Sequence, residues 1–214
     1  MKKKAARILG ITSLLAFVIW TILLGIIDVD TIGPMDSKVG FARLNGYFHS
    51  LTSVNMHLYT ITDWLGLVPI TVALLFAMLG LGEWIKRKRI LAVDQSILTL
   101  GAFYIIVIAV YIFFEEVPIN YRPTLIDGYL EVSYPSSTTL LTLTVMPTAA
   151  IEFNLRIKNA ALRKSAVILA LAFTLFMVVA RLISGVHWLT DIIGGILVSL
   201  GLVALYYSLS DFNS

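Results

Sequence analysis

The chain has no cysteine, which excludes a disulfide framework and any thiolate metal site. It is also poor in charge: 14% of its 214 residues are Asp, Glu, Lys or Arg, where a soluble domain carries about a quarter. Apolar side chains fill the gap, at 58% of the sequence with a mean hydropathy of +0.90. So large an apolar fraction needs lipid as solvent, and it argues against a soluble nucleic-acid binder. The net charge of +3 does not reverse this, because the basic residues sit in short clusters between apolar runs. No internal repeat, low-complexity tract, metal cluster or cofactor motif interrupts the pattern. The length fits one domain over residues 1–214.

Six apolar runs stand out, at about Ile8–Ile27, Leu65–Leu81, Ile97–Phe114, Thr138–Ile151, Ala166–Leu182 and Trp188–Tyr207. A span of lipid hydrocarbon takes about 20 helical residues. The fourth run is short, and it reaches that length if Ser136–Leu155 forms one helix kinked near Pro147. Trp20, Trp64, Trp84, Trp188, Tyr206 and Tyr207 lie near run ends, as interfacial aromatics do. The expected fold is an all-α, polytopic bundle of six transmembrane helices. The first run follows Lys2, Lys3, Lys4 and Arg7 but leads into Asp28-Val29-Asp30 rather than a small-residue cleavage site, so it reads as a retained helix.

Three basic clusters set the orientation. The first precedes run one, Lys86–Arg89 follow run two, and Arg156, Lys158, Arg163 and Lys164 follow run four; together they hold 12 of the 16 Lys and Arg. Cations of short loops stay in the cytoplasm. Both termini are then cytoplasmic, and the outer face carries Lys38, Arg43, Arg122 and Arg181. The longest connection, Asp28–Trp64, lies on that outer face and contains His49 and His57. A connection of this length is expected to be functional or partly helical.

The polar residues left over form three clusters, all on the expected outer face. Tyr121-Arg122-Pro123 lies between runs three and four, and Tyr134-Pro135-Ser136-Ser137-Thr138-Thr139 enters run four. Arg181 to Asp191 bridges runs five and six. A cation at the end of an apolar helix is costly without a partner, which makes Arg181 a functional candidate. His187 and Asp191 are four apart, the spacing of one helical face. A carboxylate that accepts one imidazole N–H fixes the tautomer and leaves the other nitrogen free to attack. Ser136 or Ser137 reads as a helix N-cap whose free N–H groups and hydroxyls can cradle an anion. Arg122 alone reads first as a solvated loop residue, and Glu115-Glu116 as solvated carboxylates before a divalent-cation site.

Taken together the clusters resemble the type 2 phosphatidic acid phosphatase superfamily, the lipid phosphate phosphatases. The signature of that family is Lys-x6-Arg-Pro, then Pro-Ser-Gly-His, then Ser-Arg-x5-His-x3-Asp. The third motif stands here as Arg181-x5-His187-x3-Asp191, with Ala180 for the leading serine. The motifs fall within residues 115–191. The resemblance implies that His187 is the nucleophile and Asp191 orients it. It implies that Arg122, Arg181, Ser136, Ser137 and Thr138 line the phosphate site, with no cofactor or metal. It further implies a phosphorylated lipid as substrate in the plasma membrane and a phosphohistidine intermediate hydrolysed by water at the extracytoplasmic face.

Two departures bear on chemistry. The first-motif lysine falls at Glu115, and the second-motif histidine, a proton donor in the family, falls at Thr138. Threonine is no general acid near neutral pH. Three consequences stay open. The leaving group needs no proton, as with a polyprenyl diphosphate; or His49 or His57 reaches over; or the chain binds or carries a phosphorylated lipid without turnover. A phosphotransferase with a hydroxyl acceptor is a further reading.

Overall fold

The computed structural model describes residues 3–210; Lys2 of the first basic cluster lies outside them. Among the described residues eight α-helices follow one another: α1 (Lys3–Leu24), α2 (Ala42–Thr52), α3 (Met56–Leu65), α4 (Leu67–Arg87), α5 (Gln95–Glu116), α6 (Ser137–Arg156), α7 (Ala160–Ile183) and α8 (Leu189–Leu209). The protein is an all-α polytopic bundle. Among the described residues five helical stretches are long and apolar enough to cross a membrane: α1, α3 with α4, α5, α7 and α8. Their outer surfaces carry large apolar side chains, such as Ile105, Leu169 and Leu175, that are more than two-thirds exposed. Such a surface is at rest only in lipid.

The sixth expected span, α6, has the length but not the composition, for a structural reason. It is packed among α4, α5, α7 and α8, so its thirteen-residue stretch from Thr139 to Ile151 meets protein rather than lipid and tolerates hydroxyls. Thr142, Thr144 and Thr148 are fully buried. Thr144 and Thr148 donate back to the carbonyls of Leu140 and Thr144, at 2.7 and 2.8 Å. A threonine so satisfied sits in an interior helix at little cost. The helix runs on through Pro147. Helix α8 lies against it through Gly194 and Gly195, where an added Cβ would stand 2.4 Å from the Tyr134 ring and 3.0 Å from Thr139.

The long outer connection is partly helical, as its length suggested. An antiparallel bridge between Asp30 and Val39 closes its first turn, and α2 and α3 follow. Buried Asn45 ties α2 to the start of α8. Its amide donates to the Gly40 carbonyl and to Thr190 Oγ1 at 2.8 and 2.9 Å, and accepts from the Thr190 N–H. The link from α2 to α3 docks on the α7–α8 turn, where Asn55 N donates to the Ser184 carbonyl at 2.9 Å. Gly185 adopts a φ of +68°, and a side chain there would meet the Ser53 carbonyl. These contacts fix α3 over the polar end of the bundle.

Candidate active site

Four of the sequence-predicted residues converge at that end, and all are withdrawn from solvent: Arg122 is 7% exposed, Arg181 1%, His187 3% and Asp191 0%. Arg181 closes the last turn of α7. The following turn brings His187 back beside it, and α8 begins two residues later. Arg122 comes from the α5–α6 loop, which folds on itself through an antiparallel bridge between Tyr121 and Val132. That loop is held by the Trp188 indole, which donates to the Tyr121 carbonyl at 2.7 Å. Trp188 is therefore a buried strut rather than the interfacial aromatic its position suggested, and Arg122 is not a solvated loop residue.

Both guanidiniums point at one imidazole nitrogen. Arg122 Nη1 lies 3.2 Å and Arg181 Nη2 3.4 Å from His187 Nε2. A guanidinium only donates, so Nε2 must carry the lone pair. The proton is then on Nδ1, which donates to the Ser133 carbonyl at 3.2 Å. Burial, Arg122 and Arg181, in that order, hold the His187 pKa well below its ordinary value. The result is a neutral imidazole whose basic nitrogen faces two cations.

Asp191 does not play the expected part in full. His187 precedes α8 instead of sharing a helical face with Asp191. The carboxylate stands 3.7 Å from Nδ1, beyond hydrogen-bonding reach. It is spent on capping: Oδ2 accepts the Trp188 N–H at 2.9 Å and Oδ1 the Asn120 amide at 3.3 Å. The backbone of Ser133 orients the ring, and the Asp191 carboxyl group stands beside it.

The second cluster starts α6 as expected, with Ser136 in the N-cap position. Its hydroxyl does not cap, because it accepts from Thr139 Oγ1 at 3.0 Å, while its N–H donates to the Asp191 carbonyl at 3.2 Å. Ser137 and Thr138 occupy the first turn, half-buried, and no side-chain hydrogen bond joins them to His187 or the arginines. Ser137 lines a small cleft with Glu115, Ser133 and Tyr134.

Three further residues come from α3. The Tyr59 ring lies 5.0 Å from the guanidinium carbon of Arg181 and 5.8 Å from that of Arg122. Thr62 Oγ1 accepts from Arg181 Nη1 at 3.2 Å, and Asp63 Oδ1 stands 3.9 Å from the same nitrogen. Arg122 pairs with Glu131, Nε to Oε2, at 3.0 Å. The spacing of Tyr59, Thr62 and Asp63, polar at i, i+3 and i+4 within Met56–Leu65, was the available signal for a helix face turned toward a partner. Neither outer histidine joins the cluster. His49 packs its ring 5.5 Å from Trp188, with its pKa lowered by burial. His57 is exposed, two residues before Tyr59 and so on the other side of α3.

What this arrangement offers is a nucleophilic nitrogen with four or more N–H donors around the place where an anionic group would meet it. Among the described residues no group of three or more His, Asp or Glu could hold a metal ion.

Residues 113–214 match the family model of the PAP2 superfamily. Among solved structures the chain is similar to one titled as a transmembrane PAP2-type phosphatidylglycerolphosphate phosphatase from Bacillus subtilis. The TM-score is 0.54 at 18% identity, over 94% of each chain, so the two share a fold. No curated protein matches the sequence.

Proposed function

Over residues 113–214 this chain belongs to the PAP2 superfamily, and from that premise we propose that it is an integral membrane phosphatase that hydrolyses a lipid phosphate or polyprenyl diphosphate through a phosphohistidine on His187. The observation that carries this reading is the convergence of Arg122 and Arg181 on Nε2 of His187, at 3.2 and 3.4 Å. In the resting site the two guanidiniums rest on the lone pair. A phosphoryl group entering between them takes their donors on its equatorial oxygens and leaves Nε2 free for in-line attack. The attack forms the N–P bond as the P–O bond to the lipid breaks and the lipid departs, and it makes the ring cationic. The Ser133 carbonyl keeps Nδ1–H in place, and the Asp191 charge offsets the new cation. Water then attacks phosphorus, the P–N bond breaks, and inorganic phosphate leaves.

A lipid substrate suits the surroundings. An apolar cleft of about 940 Å³ opens between α4 and α5, lined by Phe76, Trp84, Ile97, Leu100 and Tyr111 among others. Tyr111 also borders the small cleft that holds Glu115 and Ser137, so a chain in the larger cleft would end near the first turn of α6. In the proposed orientation the basic ends of α4 and α6 face the cytoplasm and the site opens at the outer face of the plasma membrane.

The test is phosphate release from a panel of lipid mono- and diphosphates by purified protein in proteoliposomes. Release by the unsubstituted chain, lost by at least a factor of about 10³ in His187→Ala, supports the reading. Release that survives His187→Ala, or none from the whole panel, refutes it. A second reading, a lipid binder without turnover, draws on the carboxylates already paired with both arginines, Glu131 and Asp63. Saturable lipid binding with no phosphate release would favour it.

A further inference from the structure

Cleaving an alkyl phosphate needs a proton on the departing oxygen, and the four central residues supply none. His187 Nε2 is the attacking atom, guanidiniums do not give up protons, and Asp191 lies on the Nδ1 side of the ring, 3.7 Å away. Thr138, in the first turn of α6, carries no acid. The donor has to stand beyond phosphorus, in line with Nε2.

The helix packed against both guanidiniums is α3. Tyr59 covers both guanidinium carbons at 5.0 and 5.8 Å, and Asp63, four residues on, shares its face. The C-terminal end of α3 adjoins the first turn of α6: a Cβ placed at Gly66 would lie 3.6 Å from Thr138 Cγ2. Asp63 thus stands where α3, Arg181 and the start of α6 meet. Its carboxylate is 58% exposed, and its 3.9 Å contact with Arg181 Nη1 is an ion pair without a direct hydrogen bond. It is close enough to reach the site, loosely enough held to re-aim, and open enough to exchange protons with water. The other candidates are committed elsewhere. Glu131 is held on the Nε edge of Arg122 at 3.0 Å, and Glu115 lines the small cleft with Ser133, Tyr134 and Ser137.

We propose that Asp63 is the proton donor to the leaving oxygen, a role that rests on the phosphatase reading above. In the first step the His187 Nε2–P bond forms, the P–O bond to the lipid breaks, and the Asp63 carboxyl proton passes to that oxygen, releasing an alcohol. In the second step the Asp63 carboxylate takes a proton from water as it attacks phosphorus. The P–N bond breaks, and Asp63 is again protonated beside the departing phosphate.

A leaving-group comparison tests this. Asp63→Asn, Asp63→Glu, Glu131→Gln and Tyr59→Phe are assayed on a long-chain alkyl phosphate and on p-nitrophenyl phosphate, whose phenolate leaves without a proton. Asp63→Asn is expected to lose about 10²–10³-fold in kcat on the alkyl phosphate. On the aryl phosphate it is expected to keep a rapid burst of one p-nitrophenol per chain, followed by slow turnover as the phosphohistidine accumulates. Asp63→Glu recovers part of the alkyl activity. Glu131→Gln changes both substrates by the same factor. Equal losses of the alkyl rate and the aryl burst in Asp63→Asn, or a leaving-group-dependent loss in Tyr59→Phe or Glu131→Gln instead, overturn the assignment to Asp63 alone. An unsubstituted protein that turns over neither substrate, or does so without His187, overturns the phosphatase reading and this proposal with it.

Discussion

The two ends of the bundle each bury arginine and carboxylate side chains, and they treat them differently. At the end away from His187, Glu152 is fully buried and every polar neighbour answers it. Arg156 Nε lies 2.8 Å from Oε2, Ser96 donates to the same oxygen at 3.0 Å, and Tyr206 donates to Oε1 at 3.2 Å. Arg156 is in turn shared with Asp94 at 3.1 Å. This network joins α5, α6 and α8 and leaves no direction open. At the other end two guanidiniums face one neutral nitrogen, the Nε of buried Arg181 has no partner, and the carboxylate nearest it stands off at 3.9 Å. A saturated network holds helices together, whereas a surplus of aimed donors awaits an anion.

Exchanging the defects between the two ends tests that contrast. Arg181→Gln removes the cation from the unsaturated end. It should lower kcat/KM for phosphate release by about 10²–10³-fold while leaving thermal stability in detergent unchanged or raised, since an ill-matched buried charge is lost. A large fall in stability would mean that Arg181 is structural. Glu152→Ala does the reverse. It strands Arg156 and should cost about 3 kcal/mol of stability, read as a lower midpoint of thermal unfolding, with kcat unchanged in protein that remains folded.

Asp191→Asn sharpens the account of the imidazole. Where a carboxylate alone fixes the tautomer, its loss costs about 10⁴-fold. Here the Ser133 carbonyl accepts Nδ1–H at 3.2 Å, so the expected loss in kcat is nearer tenfold, a figure that any loss beyond about 10³ would contradict.

The smallest effect is on pH. The His187 pKa is depressed, so the folded site refuses a proton that the unfolded chain accepts near pH 6.5. Stability contributed by this group is therefore lost as pH falls through and below that value, and His187 adds no acid limb to kcat/KM near 6.5. Removing one neighbouring cation in Arg122→Gln should move the His187 limb upward, toward the ordinary value.

The hydropathy of the chain made most of this fold legible, because lipid-facing helices must be apolar throughout. It understated α6, where Thr144 and Thr148 donate to the helix's own carbonyls inside the bundle. The site was legible where its residues lie close in sequence: Arg181, His187 and Asp191 span one turn between two helices. Ser133 was invisible because the group that acts is a backbone carbonyl, which any residue carries. Tyr59, Thr62 and Asp63 showed only as a polar helix face, and the partner of that face was not legible. They reach Arg181 across some 119 residues of sequence, and only the docking of the α2–α3 link on Gly185 brings them there. The expected His187–Asp191 hydrogen bond gave way to a stronger local demand, the unpaired N–H groups at the start of α8.

The central claim is that His187 Nε2, between Arg122 and Arg181, is the atom that meets phosphorus. Rapid quenching of the protein with a 32P-labelled lipid phosphate addresses it directly. The account predicts an acid-labile, base-stable label on His187 that forms and decays at rates consistent with turnover and is absent from His187→Ala. Turnover with no such label, or a label on another residue, would contradict it.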